Sequence, residues 1–219
     1  MGSRSLTNNI LPGSEGCMDE CTGWYHSPED ISIKKIISMG GVLLQMSNHV
    51  LANGLVRCDL KKAPICNRKM HMVENAGCFY DYKDITTYSE HVLQTRIMQV
   101  WYPDIKLNLL PFPETFDATV LSSNIINGCE DTSVVCHDFQ PLNSCSPFFV
   151  CHSKNGTKAY EVIIANKLVP TGVKMISLCH YQTSEFDPNH IAWKVLHKQP
   201  GDPVCHFTPL DSFLLCKKV

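Results

Sequence analysis

From Ala118 onward, apolar residues come in short runs, rich in β-branched and aromatic types, cut by Gly, Pro, Asn and Asp. Val134-Val135, Phe148-Phe149-Val150, Tyr160 to Ile164, Val173 to Leu178 and Ile191 to Leu196 are such runs, and each predicts a strand. Upstream the pattern differs. Tyr80 to Val100 places Tyr88, Val92 and Leu93 at helical spacing with no Pro or Gly, which predicts a helix. Ile31 to Met46 is interrupted by Gly40-Gly41 and predicts two strands in place of one helix. Tyr102-Pro103 and Pro111-Phe-Pro113 favour extended chain. Residues 1–23 are rich in Gly, Ser and Asn, carry Cys17 and Cys21, and predict a tethered arm before one domain over 24–219. The fold class is α+β, strand-rich, in a single disulfide-stapled domain.

Composition narrows the setting. A chain of 219 residues that is 44% hydrophobic can bury one sizeable core. Nineteen basic residues against 21 acidic give nothing that would attract nucleic acid or an anionic membrane. No run of 18 apolar residues predicts a transmembrane helix. The 12 cysteines, an even number, point to an oxidising compartment: the secretory route, the cell wall or the vacuole. Met1-Gly-Ser-Arg-Ser lacks a hydrophobic signal core and reads as the start of a mature or expression fragment. Asn155-Gly-Thr157 is a glycosylation acceptor and reads as a turn.

The candidate chemistry lies in four Cys-His dipeptides: Cys136-His137, Cys151-His152, Cys179-His180 and Cys205-His206. Random order of 12 Cys and 10 His would give roughly half of one such dipeptide. The gaps of 13, 26 and 24 residues put the pairs on separate segments that the fold must bring together. All but the last follow an apolar run directly, which predicts positions at strand ends. In extended chain, neighbouring side chains face opposite ways, so cysteines can staple one face while imidazoles converge on the other. Four converging imidazoles would suit copper, zinc, iron or nickel. The alternatives are a disulfide framework with incidental histidines, or a zinc site using both residue types, although the short C-x2-C spacing is missing. His190 is a candidate fifth ligand and His197 a weaker one. His26, His49, His71 and His91 read as surface or core residues. No Gly-x-Ser-x-Gly segment supports a hydrolase.

These dipeptides and their spacing resemble the plant BURP domain, and the resemblance extends through Cys179 to Leu196 and Gln199 to Pro209. Cys66 and Cys78, with 11 residues between them, are similar to that family's earlier cysteine pair. The chain departs from the pattern in an extra Cys145 and in Ser212-Phe-Leu-Leu-Cys216, where a Trp is expected. The family includes copper-dependent peptide cyclases in which stapled Cys-His pairs hold two copper centres. The resemblance therefore implies one or two copper ions on His137, His152, His180 and His206, with O2 as oxidant. It also implies disulfides among Cys136, Cys151, Cys179, Cys205, Cys66 and Cys78. The implied partner is a precursor peptide whose Tyr or Trp is joined to an unactivated carbon. Gln140-Pro141 and Gln199-Pro200 lack a closing aromatic residue, so the expected peptide is supplied in trans. The second expectation is a non-catalytic secreted cell-wall protein of the polygalacturonase β-subunit type.

Overall fold

The computed structural model describes residues 23–29, 36–42, 59, 75–104, 115–139, 146–208 and 212–219. Cys17, Cys21, Cys66, Cys145, His49, His71 and the Pro111-Phe-Pro113 segment lie outside the described residues. Among the described residues there are two helices and eleven strands. Strands β1 (Gly23–His26), β2 (Ile36–Val42), β5 (Thr115–Ile125), β8 (Thr157–Ala165), β9 (Val173–His180) and β10 (Val204–Phe207) close a barrel in the order β1-β10-β9-β8-β5-β2. Strands β3 (Asn75–Phe79), β4 (Met98–Trp101), β6 (Val134–Phe139), β7 (Phe148–Ser153) and β11 (Ser212–Lys217) form a second sheet in the order β3-β7-β6-β11-β4. Every pairing is antiparallel.

Alternation along the strands divides the apolar residues into three layers. The barrel interior holds Val120, Val162, Ile164, Met175, Cys179, Cys205 and Phe207. The outward side of β8 and β9, with Ala159, Ile176 and Leu178, packs on Val135, Leu214 and Cys216 of the second sheet. The other face of that sheet, with Val134, Cys136, Cys151, Phe213 and Leu215, packs on helix α1 (Tyr82–Leu93) through Ile85 and Leu93. A short helix α2 (Ile191–Leu196) places Ala192 and Trp193 against Tyr25 and Val204 of the barrel.

Three expectations are corrected here. The helix predicted over Tyr80 to Val100 is shorter: Asp81 caps its start, Gln94 ends it in the left-handed conformation, and the chain from Met98 turns into β4 against β11. Ile191 to Leu196 is a helix and not a strand. His190 accepts a hydrogen bond from the Ala192 N–H at 3.1 Å, and the Trp193 indole N–H donates to the Asp187 carbonyl at 2.8 Å. A short apolar run reads as either element, and here the cap decides. Gly40 and Gly41 do not interrupt β2, which includes both and pairs them with Tyr25 and Trp24 of β1, while residues 31–35 and 43–46 of the predicted run lie outside the described residues.

Candidate metal centre

Cys136 of β6 and Cys151 of β7 stand directly opposite each other and form a disulfide. The residue after each cysteine turns to the other face of the sheet. In this register His137 lies opposite Val150, and His152 is two residues further along the same strand, so the imidazoles are diagonal neighbours. The diagonal brings the rings together: Nε2 faces Nε2 at 3.4 Å, with ring planes 13° apart.

The barrel repeats this arrangement. Cys179 of β9 is opposite Cys205 of β10 and bonded to it. His180 is opposite Val204, which makes His206 its diagonal neighbour. The Nε2 atoms are 3.2 Å apart and the ring planes differ by 21°.

A third strand completes each arrangement. Ser212 of β11 is the register partner of His137 across from β7, and its Oγ lies 2.7 Å from His137 Nδ1. Thr157 of β8 is the register partner of His180 across from β10, and its Oγ1 lies 2.9 Å from His180 Nδ1. The molecule thus contains two like units, β11-β6-β7 and β8-β9-β10, one in each sheet. All four rings are buried, with fractional exposures of 2 to 7%.

By strand alternation His137 and His180 lie on the faces of their strands that line the layer between barrel and sheet, while His206 shares its face with Val204, which packs on α2. His137 shares its face with Val135, and His180 shares its face with Ile176 and Leu178, the residues that meet in that layer. The cysteines face away, Cys136 and Cys151 toward α1 and Cys179 and Cys205 into the barrel. Aromatic groups crowd the second pair: Phe186 is 5.6 Å from the His180 ring and Tyr25 is 6.2 Å from His206. The buried Lys154 places its ammonium 3.7 Å from the Phe186 ring centroid, a cation–π contact in a site shielded from water.

The expectation of four imidazoles gathered around one point is corrected. Among the described residues no group of three or more His, Cys, Asp or Glu is placed to hold a metal, and the rings form two pairs. The expectation of strand ends also changes. Cys136-His137 and Cys205-His206 lie within their strands, and only His180 ends its strand. His190 belongs to neither pair: it caps α2, its Nδ1 occupied by Ala192 N–H, its ring 5.8 Å from Tyr25. His197 is an exposed helix C-cap and His91 an exposed residue of the last turn of α1.

His26 is a core histidine. Its Nδ1 lies 3.0 Å from the Ser27 carbonyl, which can only accept, so Ser177 Oγ, 2.8 Å away, donates to Nε2. Cys78 is disulfide-bonded. A further disulfide, Cys129–Cys216, was not expected from the dipeptide pattern. Ser212 and Thr157 were not expected either. Thr157 was visible only as part of a glycosylation triplet, and Ser212 only as one residue of an apolar run.

The donor set fits a metal bound by nitrogen. The cysteine sulfurs of the four dipeptides are consumed in disulfides, so none is available as thiolate. Each pair offers two Nε2 atoms closer together than twice the imidazole–metal bond of about 2.0–2.1 Å, so one ion can be reached by both rings. Imidazole nitrogen suits copper and zinc alike.

The two stapled, imidazole-bearing units define a class of β-protein built on Cys-His dipeptides, and comparison with known families agrees. The model of the BURP domain matches residues 48–217, and the chain belongs to that family. It is 35% identical over 99 residues to BURP domain-containing protein 3 of Oryza sativa subsp. japonica, covering 45% of this chain and 22% of that protein. It is 41% identical over 85 residues to BURP domain protein RD22 of Arabidopsis thaliana, covering 36% of this chain and 20% of that protein. It is 33% identical over 89 residues to Protein RAFTIN 1B of Triticum aestivum, covering 39% of this chain and 23% of that protein. The matches thus span about a fifth of each relative's length. Proteins of this family are plant proteins of the secreted type, and no helix among the described residues is long and apolar enough to cross a membrane. The barrel begins upstream of the matched stretch, since β1 and β2 supply two of its six staves.

Proposed function

We propose that the protein is a copper-dependent oxidative peptide cyclase that acts on a separate precursor peptide. It would join a Tyr oxygen or a Trp ring atom to an unactivated carbon. The observation that carries this reading is the pair of facing Nε2 atoms, 3.4 Å apart in one unit and 3.2 Å in the other, each on strands locked by a disulfide behind them. Each new bond replaces an O–H or N–H and a C–H, releasing two protons and two electrons, which O2 would accept. Copper held by His137 with His152, and by His180 with His206, would supply the redox capacity that side chains lack. The chain's own contribution is positional. The staples fix the strands, the diagonal register fixes the rings, and the buried layer excludes bulk water. Phe186 and Tyr25, both buried, wall the second pair with apolar surface that keeps its rings from water.

Copper analysis of the purified protein tests this. The expected result is two ions per chain, with His152→Ala and His180→Ala each losing one while the fold, followed by circular dichroism, is retained. Incubation with copper, O2 and peptides ending in Tyr or Trp should give products lighter by two hydrogens in mass spectrometry. A second reading, a non-catalytic secreted protein of the cell wall, is favoured by one observation. Each imidazole pair also closes on itself through its Nε2 contact, so the packed layer is complete without an ion. A folded chain that takes up no copper would establish that reading and end the first.

A further inference from the structure

We infer that Ser212 and Thr157 are the positioning residues of the two units, each orienting one imidazole by accepting its Nδ1–H when Nε2 carries an ion. The inference rests on the metal-binding reading above and assigns to two hydroxyls a role that the Cys-His pattern does not contain. Both hydroxyl residues are the register partners of the first histidine of their unit, on the strand away from the second. Both are buried, Ser212 at 2% exposure and Thr157 at 4%. An imidazole that binds an ion through Nε2 keeps its proton on Nδ1, a buried N–H that requires an acceptor, and in each unit the hydroxyl oxygen is within 2.9 Å of Nδ1. With the proton on Nδ1 and donated to the hydroxyl, the Nε2 lone pair is directed at the facing ring, where an ion would be shared. That two separate sheets reproduce the same three-strand register argues against an incidental contact.

Thr157 carries a second assignment, as the last residue of the Asn155-Gly-Thr157 acceptor. Asn155 is exposed in the turn between β7 and β8, whereas the Thr157 hydroxyl faces His180. The two roles are separable by mutation, because Asn155→Gln abolishes the acceptor and leaves the hydroxyl in place.

The test is Cu(II) affinity by chelator competition on the full chain, with electron paramagnetic resonance to distinguish the sites. Ser212→Ala should weaken the His137–His152 site by about 10–100-fold and alter its signal, leaving the other site unchanged. Thr157→Val should do the same to the His180–His206 site alone. Ser212→Thr and Thr157→Ser should restore affinity, and Asn155→Gln should have no effect. The two units are independent tests, so if Thr157→Val fails to fold, Ser212→Ala decides. Unchanged affinity and signal in the alanine and valine variants, or no rescue by hydroxyl exchange, would overturn the positioning role while leaving the metal sites standing. A wild-type chain that binds no copper would overturn both.

Discussion

At the scale of single residues, Tyr160 and Tyr181 illustrate how packing sets chemistry. Their hydroxyls are 3.1 Å apart, and both rings lie against the barrel core. Burial, reinforced by the hydrogen bond that the Tyr160 O–H donates to Tyr181, raises the Tyr160 pKa above its usual 10.0. A phenol that stays protonated in the folded state but ionises at its ordinary pKa in the unfolded chain makes unfolding release a proton. Stability is therefore whole below pH about 10 and falls as pH rises from there toward the raised value. Tyr160→Phe should flatten that alkaline decline, measured as the midpoint of denaturant unfolding between pH 9 and 11. The pairing of His137 with His152 and of His180 with His206 has the same local origin, in a diagonal fixed by register. The dipeptides showed which residues form the stapled, imidazole-bearing units, because opposite-facing neighbours follow from extended chain alone. They did not show which imidazole meets which, because register is decided by the partner strand. Ser212 and Thr157 were illegible for the same reason.

At the scale of elements, α1 is held by one face. Ile85, Ser89 and Leu93, spaced by four, are buried against the outer face of the second sheet, while Asp81 Oδ1 accepts from the Asp84 N–H at 3.1 Å. Leu93 is 1% exposed, so Leu93→Ala should cost about 2–5 kcal/mol, whereas loss of the exposed cap in Asp81→Ala should cost about 1 kcal/mol. Urea unfolding of both variants checks the ratio. The strands β6 to β9 were readable because β-branched runs bounded by turn residues fit no helix of ordinary length. The Ile191–Leu196 helix was not, since its six residues are too few to show a period and its start is set by the His190 side chain. In the same way, the end of α1 was hidden because residues 95–100 continue without Gly or Pro, and only pairing with β11 draws them into a strand.

At the scale of the molecule, each of the three apolar layers contains one covalent link, and the links differ in reach. Cys129–Cys216 closes 87 residues, against 15 for Cys136–Cys151 and 26 for Cys179–Cys205. By loop-closure entropy its removal should be the most costly, about 4–5 kcal/mol against about 3 kcal/mol for the shortest link. Paired Cys→Ser variants compared by guanidinium unfolding test the order. The layered plan was only partly legible, because alternation predicts a buried face for each strand but not which sheet it meets. One consequence concerns how the protein matures. The six sulfurs of these links have no exposed surface in the finished fold, so neither oxidant nor reductant reaches them once the layers close. Thiol pairing has to keep pace with collapse. A chain that packs before oxidation would seal its thiols out of reach, so the rate of oxidation during synthesis should govern the yield of correctly assembled protein more than its final stability does.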